Sequence, residues 1–341
     1  MPKHAPTYAT VIALMFLVAC GSAPPPAAKA PAGEDGPAID TRPEDPETVD
    51  AGAPAAEPTL EPESLDGYEE EGAFINWKGY PYRTFPSAKH ALAAIIKTRQ
   101  PRTIGFGEFH QTDQTVHIRS ALARFTSDLL PVASGVLSDL VVETWIPEGC
   151  GEVEAEVTKQ VEEVTERPDE AENETVTLLK TATAYGVQPH VMKVGCDDYR
   201  SVFMEDGNVD FYVMLQVVGK LLGQKTAQVL VYRLRLAEQA SQPYDRAIAI
   251  YGGAIHNDVE PKEEWAPVSF GTVIAPAVEN STGGSYIEVD LCVPEFLETN
   301  ELVKDEPWLP LLKDKSSKDE ALLIKTGAYS YKIVFRRGVL N

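Results

Sequence analysis

The chain predicts an α/β fold, a mainly parallel central sheet flanked by helices, with one inserted helical segment. Three observations predict it. Apolar runs of strand length at 102–106, 137–144, 187–194 and 246–251 alternate with stretches whose apolar residues recur at helical spacing. The runs are apolar at their centres, as strands covered on both faces are. Their downstream ends carry glycines and polar side chains, which such a topology gathers at one edge: Gly105-Phe106-Gly107-Glu108-Phe109-His110, Val142-Glu143, Gly195-Cys196-Asp197-Asp198 and Gly252-Gly253-Ala254-Ile255-His256.

In chain order, residues 1–20 read as a signal peptide. Val11 to Val18 is apolar and too short to span a bilayer. It ends in Leu17-Val18-Ala19-Cys20, which resembles the bacterial lipobox. A lipidated Cys20 would tether the protein to a membrane surface without a spanning helix. Gly21-Ser22 lacks the aspartate that retains such lipoproteins at the inner membrane, so the resemblance implies the outer membrane. Residues 21–72 follow as an acidic tether, with 14 acidic residues, two basic ones and ten prolines. That composition cannot bury enough apolar surface to fold, and proline and self-repulsion keep it extended.

The folded domain is expected over 73–341. Phe74 to Phe85 reads as an irregular aromatic lead-in, and Ser87 as the N-cap of a helix through Thr98. After the strand 102–106, Asp113 reads as the cap of a helix whose stripe is Ile118, Leu122, Phe125 and Leu129. The strand 137–144 precedes an acidic, solvated helical insertion over 148–176. After the strand 187–194 come two helices, 208–223 and 225–241. Beyond the strand 246–251, residues 268–274, 285–293 and 329–336 read as further strands, the last one able to add antiparallel.

The net charge of −22 excludes a nucleic-acid partner, because phosphate binding needs a basic face. Phosphate-loop, dinucleotide-binding, serine-elbow and zinc-protease motifs are absent. Besides Cys20 there are three cysteines, enough for one disulfide. Cys150 and Cys196 each follow a strand and can pair at one sheet edge; three unpaired, buried thiols are the other reading.

Glu108 and His110 stand two residues apart, so an extended backbone puts both on one face. Glu143 follows two buried valines and emerges at the edge. His256 follows a glycine pair that can turn it back over the sheet. Two imidazoles and two carboxylates suit a divalent metal such as Mn, Zn, Fe or Co. They equally suit acid–base chemistry, in which a carboxylate orients a histidine that activates water. The bland alternative is that Glu108 binds loop amides and His110 is a satisfied buried histidine. His117 faces a ligand or solvent. Asp197 and Asp198 contact a ligand or cap the next helix.

Gly107-Glu108-Phe109-His110 with His117, Val142-Glu143, and Gly253-Ala254-Ile255-His256 together resemble the motif series of ChaN-like haem-binding lipoproteins, and more widely the Tiki and erythromycin-esterase superfamily. The resemblance covers about Arg102 to Asp258. It implies haem or iron held at the sheet edge through His110, His117 and His256, in a monomer or a homodimer. Its superfamily implies instead a metal-dependent hydrolase of a peptide, ester or amide that uses Glu108, His110, Glu143 and His256. A third reading is a binding or scaffold module without chemistry.

Overall fold

The structure, a computed structural model, describes residues 58–146, 149–165, 170–300 and 303–338. The signal peptide, Cys20 and the tether up to residue 57 lie outside the described residues. No helix among those described is long and apolar enough to cross a membrane.

Nine strands form one mixed sheet flanked by helices. They are β1 (Ile75–Trp77), β2 (Tyr80–Phe85), β3 (Thr103–Glu108), β4 (Leu137–Ile146), β5 (Gln188–Lys193), β6 (Ala247–Gly253), β7 (Tyr286–Cys292), β8 (Ala321–Lys325) and β9 (Ser330–Val334). Their order is β1-β2-β8-β9-β7-β3-β6-β4-β5. From β9 to β5 every neighbour is parallel; β1, β2 and β8 extend that sheet in antiparallel. The α/β class and the mainly parallel sheet are therefore as the apolar runs indicate.

Helices cover both faces because alternate residues of each strand are apolar on opposite sides. On one face, α1 (Ala88–Arg99), α2 (Ala121–Arg124) and α3 (Leu130–Ala133) pack on Ile104, Phe106, Leu140 and Tyr251. A π-helical turn, Phe125–Leu129, joins α2 to α3 and keeps Leu122, Phe125 and Leu129 on the core side. The other face holds α4 (Glu152–Thr165), α6 (Cys196–Ser201), α7 (Phe211–Gln239) and α9 (Gly271–Thr282). Their apolar cluster surrounds Val141, Ile248 and Ile250. A second cluster on that face, around Cys292, Trp308 and Leu322, includes α10 (Pro294–Leu297) and α11 (Leu309–Lys315).

Several expectations are corrected by tertiary packing. Residues 74–85 are not irregular: β1 and β2 form a hairpin on the sheet edge. The tether does not run to residue 72. Tyr68 is buried, Glu71 is 4% exposed and binds Arg99 at 2.9 Å, and Tyr331 donates to Glu71 at 2.9 Å. A chain held by a buried ion pair and a hydroxyl cannot be free, whatever its composition. The acidic insertion over 148–176 is helical and mostly solvent-facing among the described residues, but it is anchored. Val157 is fully buried on α4, and α5 (Glu170–Ala184) runs on past the insertion to place Leu178 and Ala182 in the main core. Helix α5 is the crossover that parallel β4 and β5 require. The two helices expected over 208–223 and 225–241 are one unbroken helix, Phe211–Gln239. Gly223 reads as a stop, yet it makes room for Phe270, 3.2 Å from where a Cβ would be. Residues 268–274 are not a strand. Val268 ends a 3-10 turn, and Ile274 and Val278 are buried one helical turn apart on α9. The last strand runs parallel to β7; the antiparallel strand is β8, which the sequence left unread.

Asp139 closes the other end of β4. It accepts from His190 at 2.8 Å and from both ends of the Arg233 fork at 2.7 and 2.9 Å. Burial works against its charge, but the bonds from His190, Arg233 and Ser138 outweigh it and hold the carboxyl below its ordinary value. His190 is thus a structural residue.

Cys150 and Cys196 are joined by a disulfide, with Cα atoms 5.4 Å apart; Cys292 is free and buried. The bridge ties the entry of α4 to the first residue of α6. Because it closes a loop of 46 residues, its reduction is expected to lower stability by up to about 4 kcal/mol. Thermal melting with and without a thiol reductant measures this, and an unchanged Tm would contradict it.

Candidate functional site

Three parallel strands end side by side where the site forms. β3 lies between β7 and β6, with Gly105 and Gly107 level with Ile250 and Gly252 on one side and with Glu288 and Asp290 on the other. β4 is the next strand beyond β6. Helix α8 (Ala254–Asn257) begins directly after β6, so its four residues sit over the strand ends.

Glu108 is the last residue of β3, on the side of the main core. It accepts from the Tyr251 hydroxyl at 2.6 Å and from His110 Nδ1 at 2.8 Å. Phe109 points to the opposite face, against the Trp308 cluster. A carboxylate with two fixed donors holds the imidazole in one orientation and one tautomer, the proton on Nδ1. Nε2 is then left to face Gly253, 3.3 Å from where a Cβ there would be.

Glu143 follows a register shift in β4 between Val142 and Trp145. That irregularity lays its side chain across β6. Oε2 accepts from the Gly253 N–H at 2.6 Å. A Cβ on Gly252 would sit 2.5 Å from the same oxygen, so the absent side chain of Gly252 admits this carboxylate.

His256 is 1% exposed. Its Nδ1 donates to the Val268 carbonyl at 2.8 Å, and its Nε2 faces Glu143 Oε1 at 4.0 Å. Gly219 of α7 lies against the Val268 carbonyl with no room for a side chain, which brings that carbonyl within reach of the ring. The Glu143–His256 gap is too wide for a direct hydrogen bond. It is the span that one oxygen bonded to both would bridge.

Glu108, His110, Glu143 and His256 therefore meet around Gly253. The other sequence candidates do not join them. His117 is exposed in a turn rather than on a helix, because Ser120, not Asp113, caps the helix: Ser120 Oγ accepts from Ala123 N at 2.9 Å. Asp197 is fully exposed and binds Arg200 at 2.6 Å. Asp198 accepts weakly from Gly195 N at 3.3 Å, capping α6. Both aspartates serve the helix start. Sequence reasoning passed over Tyr251, the Val268 carbonyl and the Gly253 N–H. The tyrosine had a signal, one residue ahead of the glycine pair on the strand; the two backbone groups had none.

A second polar group lies beside the first on the α8 side of β7, between the two apolar clusters of that face. Glu288, Asp290 and Lys332 are all more than nine-tenths buried. Lys332 donates to Asp290, and Glu288 accepts from Val259 N at 3.0 Å. Burial, then the neighbouring Asp290 charge, pushes Glu288 up to about 8, and burial likewise raises Asp290. Burial works against the Lys332 ammonium, yet Asp290 and Glu288 hold it above its ordinary value. The alternation Tyr286, Glu288, Asp290 along a strand reads as a solvated face; here α8 and the segment after it cover that face.

Two grooves elsewhere on the surface, one lined by Pro58, Leu60 and Arg246 and one by Tyr80 and Lys325, do not touch either cluster.

No family model matches the chain, and no curated protein matches it. Among solved structures, the type III effector HopBA1 is 9% identical, with the match covering 75% of this chain and 98% of that one, at a TM-score of 0.38. A likeness that weak carries no argument about fold or function.

Proposed function

We propose that the cluster around Gly253 is the active site of a hydrolase that cleaves a small ester, amide or peptide by acid–base catalysis. One observation carries the proposal. Both imidazoles commit Nδ1 to a fixed protein acceptor and turn the Nε2 side to the space over Gly253, where Glu143 also ends. In this reading Glu108 orients His110 and stabilises its protonated form. His110 Nε2 takes a proton from water as the water oxygen attacks the carbonyl carbon. His256 Nε2, in the imidazolium form that this step requires, donates a hydrogen bond to the developing oxyanion. The bond to the leaving group then breaks, and His110 returns its proton to that group.

A metal in this site would draw on His110, Glu143 and His256. Such donors lie about 2.0–2.2 Å from the ion, so two of them 4.0 Å apart would have to stand nearly opposite each other. Among the described residues no group of three or more His, Cys, Asp or Glu side chains is arranged to hold an ion. The donor set as placed does not fit one, and the acid–base route needs none. Haem, which the ChaN-like resemblance implies, asks for an apolar slot, whereas imidazoles and carboxylates surround Gly253. The lipobox supports a site carried outside the cytoplasm on a lipidated Cys20, with the outer membrane as its place.

The test is turnover by the purified intact chain against a panel of esters, amides and short peptides. Activity on one class is expected, and Glu143→Gln or His110→Asn should lower kcat/KM by about 10²–10⁴-fold. Absence of turnover on every class, or turnover indifferent to both variants, rejects the proposal. A Soret shift with haem that needs His110 or His256 would put haem binding in its place.

A further inference from the structure

Tyr251 is a core residue carrying a polar atom that core packing does not need. It is 3% exposed and belongs to the main apolar cluster. On the sheet it stands level with Phe106 of β3 on one side and with Val142 of β4 on the other. Its ring meets the Phe125 ring, with centroids 4.8 Å apart and planes at 42°. Phe125 in turn meets Phe106 at 4.8 Å and 52°. A phenylalanine at 251 would pack in this row of three rings equally well. A hydroxyl buried there costs free energy unless it is hydrogen-bonded. Its bond runs to Glu108 Oε2 at 2.6 Å, the length of a hydroxyl–carboxylate bond.

The row of rings has a local cause. Phe125 opens the π-helical turn between α2 and α3. Pro131, two residues beyond that turn, has no N–H to give to the Ser127 carbonyl, so the α-helical ladder breaks there. Such turns are rare and recur at functional sites. Here the turn sets one ring against both Phe106 and Tyr251, and the Tyr251 hydroxyl is delivered to the end of β3. Glu108 needs that anchor. It is the last residue of its strand and has three rotatable bonds. The contact with His110 Nδ1 at 2.8 Å lies at the rim, where the His110 side chain is 30% exposed. Held there alone, the carboxylate can swing about the contact. A second donor from the rigid core removes that freedom.

We propose that Tyr251 is a positioning residue for His110: its hydroxyl fixes the Glu108 carboxylate, which holds the imidazole in the one tautomer whose Nε2 can accept a proton. Support then runs in one line, from the Phe125 ring to the Tyr251 ring, from its hydroxyl to Glu108 Oε2, and from Glu108 Oε1 to His110 Nδ1. Tyr251 touches neither water nor substrate in the reaction; it acts through two side chains. The proposal rests on the hydrolase reading only for what Nε2 does, and the tautomer is read without turnover.

The test uses the intact chain with ¹⁵N-labelled histidine, His110 being assigned by the loss of its signals in His110→Asn. With the ring neutral, Nδ1 is expected at the shift of a protonated nitrogen and Nε2 at that of an unprotonated one. Tyr251→Phe keeps the ring and removes the hydroxyl. It should bring the two shifts toward each other as the tautomers mix. Unchanged shifts overturn the proposal. On the ester, amide or peptide that the chain turns over, Tyr251→Phe should lower kcat by about 10–100-fold and leave KM alone. An unchanged kcat also overturns it. Phe125→Leu separates packing from positioning. It should lower both Tm and kcat in the wild-type chain, but only Tm in Tyr251→Phe, where no hydroxyl remains to be placed. An equal loss of kcat in both backgrounds overturns the line of support through Tyr251. The expected shifts in a chain without any turnover would keep the positioning role and remove the hydrolase.

Discussion

Gly253→Ala is expected to leave the protein folded and to lower the proposed hydrolytic turnover sharply. Gly253 has φ −63° and ψ 140°, a conformation open to any residue. The added methyl would lie 3.3 Å from His110 Nε2, 3.5 Å from Glu143 Oε2 and 3.6 Å from His256 Cδ2. It clashes with none of them badly and fills the space all three share. Restricting the unfolded chain favours alanine by about 0.4–1 kcal/mol, so Tm should hold or rise. Turnover should fall by about 10²-fold or more, because a substrate displaced by about 1 Å loses that much. Gly252→Ala is the contrast: its Cβ would meet Glu143 Oε2 at 2.5 Å and the Glu143 Cβ at 3.0 Å, so stability should drop as well. Denaturation curves and kcat/KM of both variants decide the matter. A fully active Gly253→Ala would mean that no reacting group occupies that space.

Lys332→Met is expected to cost more stability than any other substitution discussed. The ammonium is buried against Asp290 and lies 4.9 Å from the Trp308 ring centre. Its removal leaves Asp290, Glu288 and Asp258 around one another without a cation. Breaking a buried pair in this way costs about 3–5 kcal/mol. The cost depends on pH, and the sign follows from the carboxyls. Burial, then the neighbouring Asp290 charge, raises Glu288 from 4.5 to about 8, so the folded state holds a proton that the unfolded state releases. That contribution to stability is fully present below pH 4.5 and is lost as pH rises through 8. The wild-type chain should therefore lose up to about 1.4 kcal/mol per pH unit across this window for each proton involved. Lys332→Met should be weakest at the alkaline end and recover part of its loss near pH 5. Urea titrations at several pH values measure both effects. A Lys332→Met chain as stable as wild type at pH 8 would show that the pair contributes nothing.

The site's four side chains were legible because strand ends announce themselves. An apolar run that stops at a glycine, an acid or a histidine states where a sheet edge is, and Glu108, Glu143 and His256 each follow such a run. In a parallel sheet those ends gather on one side for topological reasons alone. His117 was misplaced because Asp113 is as good a cap as Ser120 in the one-dimensional pattern; the difference is that Ser120 bonds Ala123 N and the helix starts there. The strand reading of 268–274 failed similarly. Its β-branched residues suit a strand, but Thr272, Val273 and Ile274 lie on a helix beside α7 that buries Ile274 and leaves Val273 exposed.

Asp290, Glu288 and Lys332 were not legible at all. Charges at alternate strand positions mean a solvated face unless something covers it, and what covers it here is a four-residue helix and a following loop. The two glycines of the opening motif show the division most clearly. The sequence by itself determined that a strand ends within Gly105–His110 and that a carboxylate and an imidazole come together there, since both are local. It also determined the α/β class, since alternating strand and helix periods leave a parallel sheet as the packing that buries both faces. Only the tertiary structure decided what the glycines are for. Gly105 admits the Tyr286 hydroxyl, Gly107 admits Asp290 and the start of α8, and on the neighbouring strand Gly252 admits the Glu143 side chain. The reason is physical: a missing Cβ is visible in a sequence, but the atom that takes its place comes from strands 109 to 183 residues away.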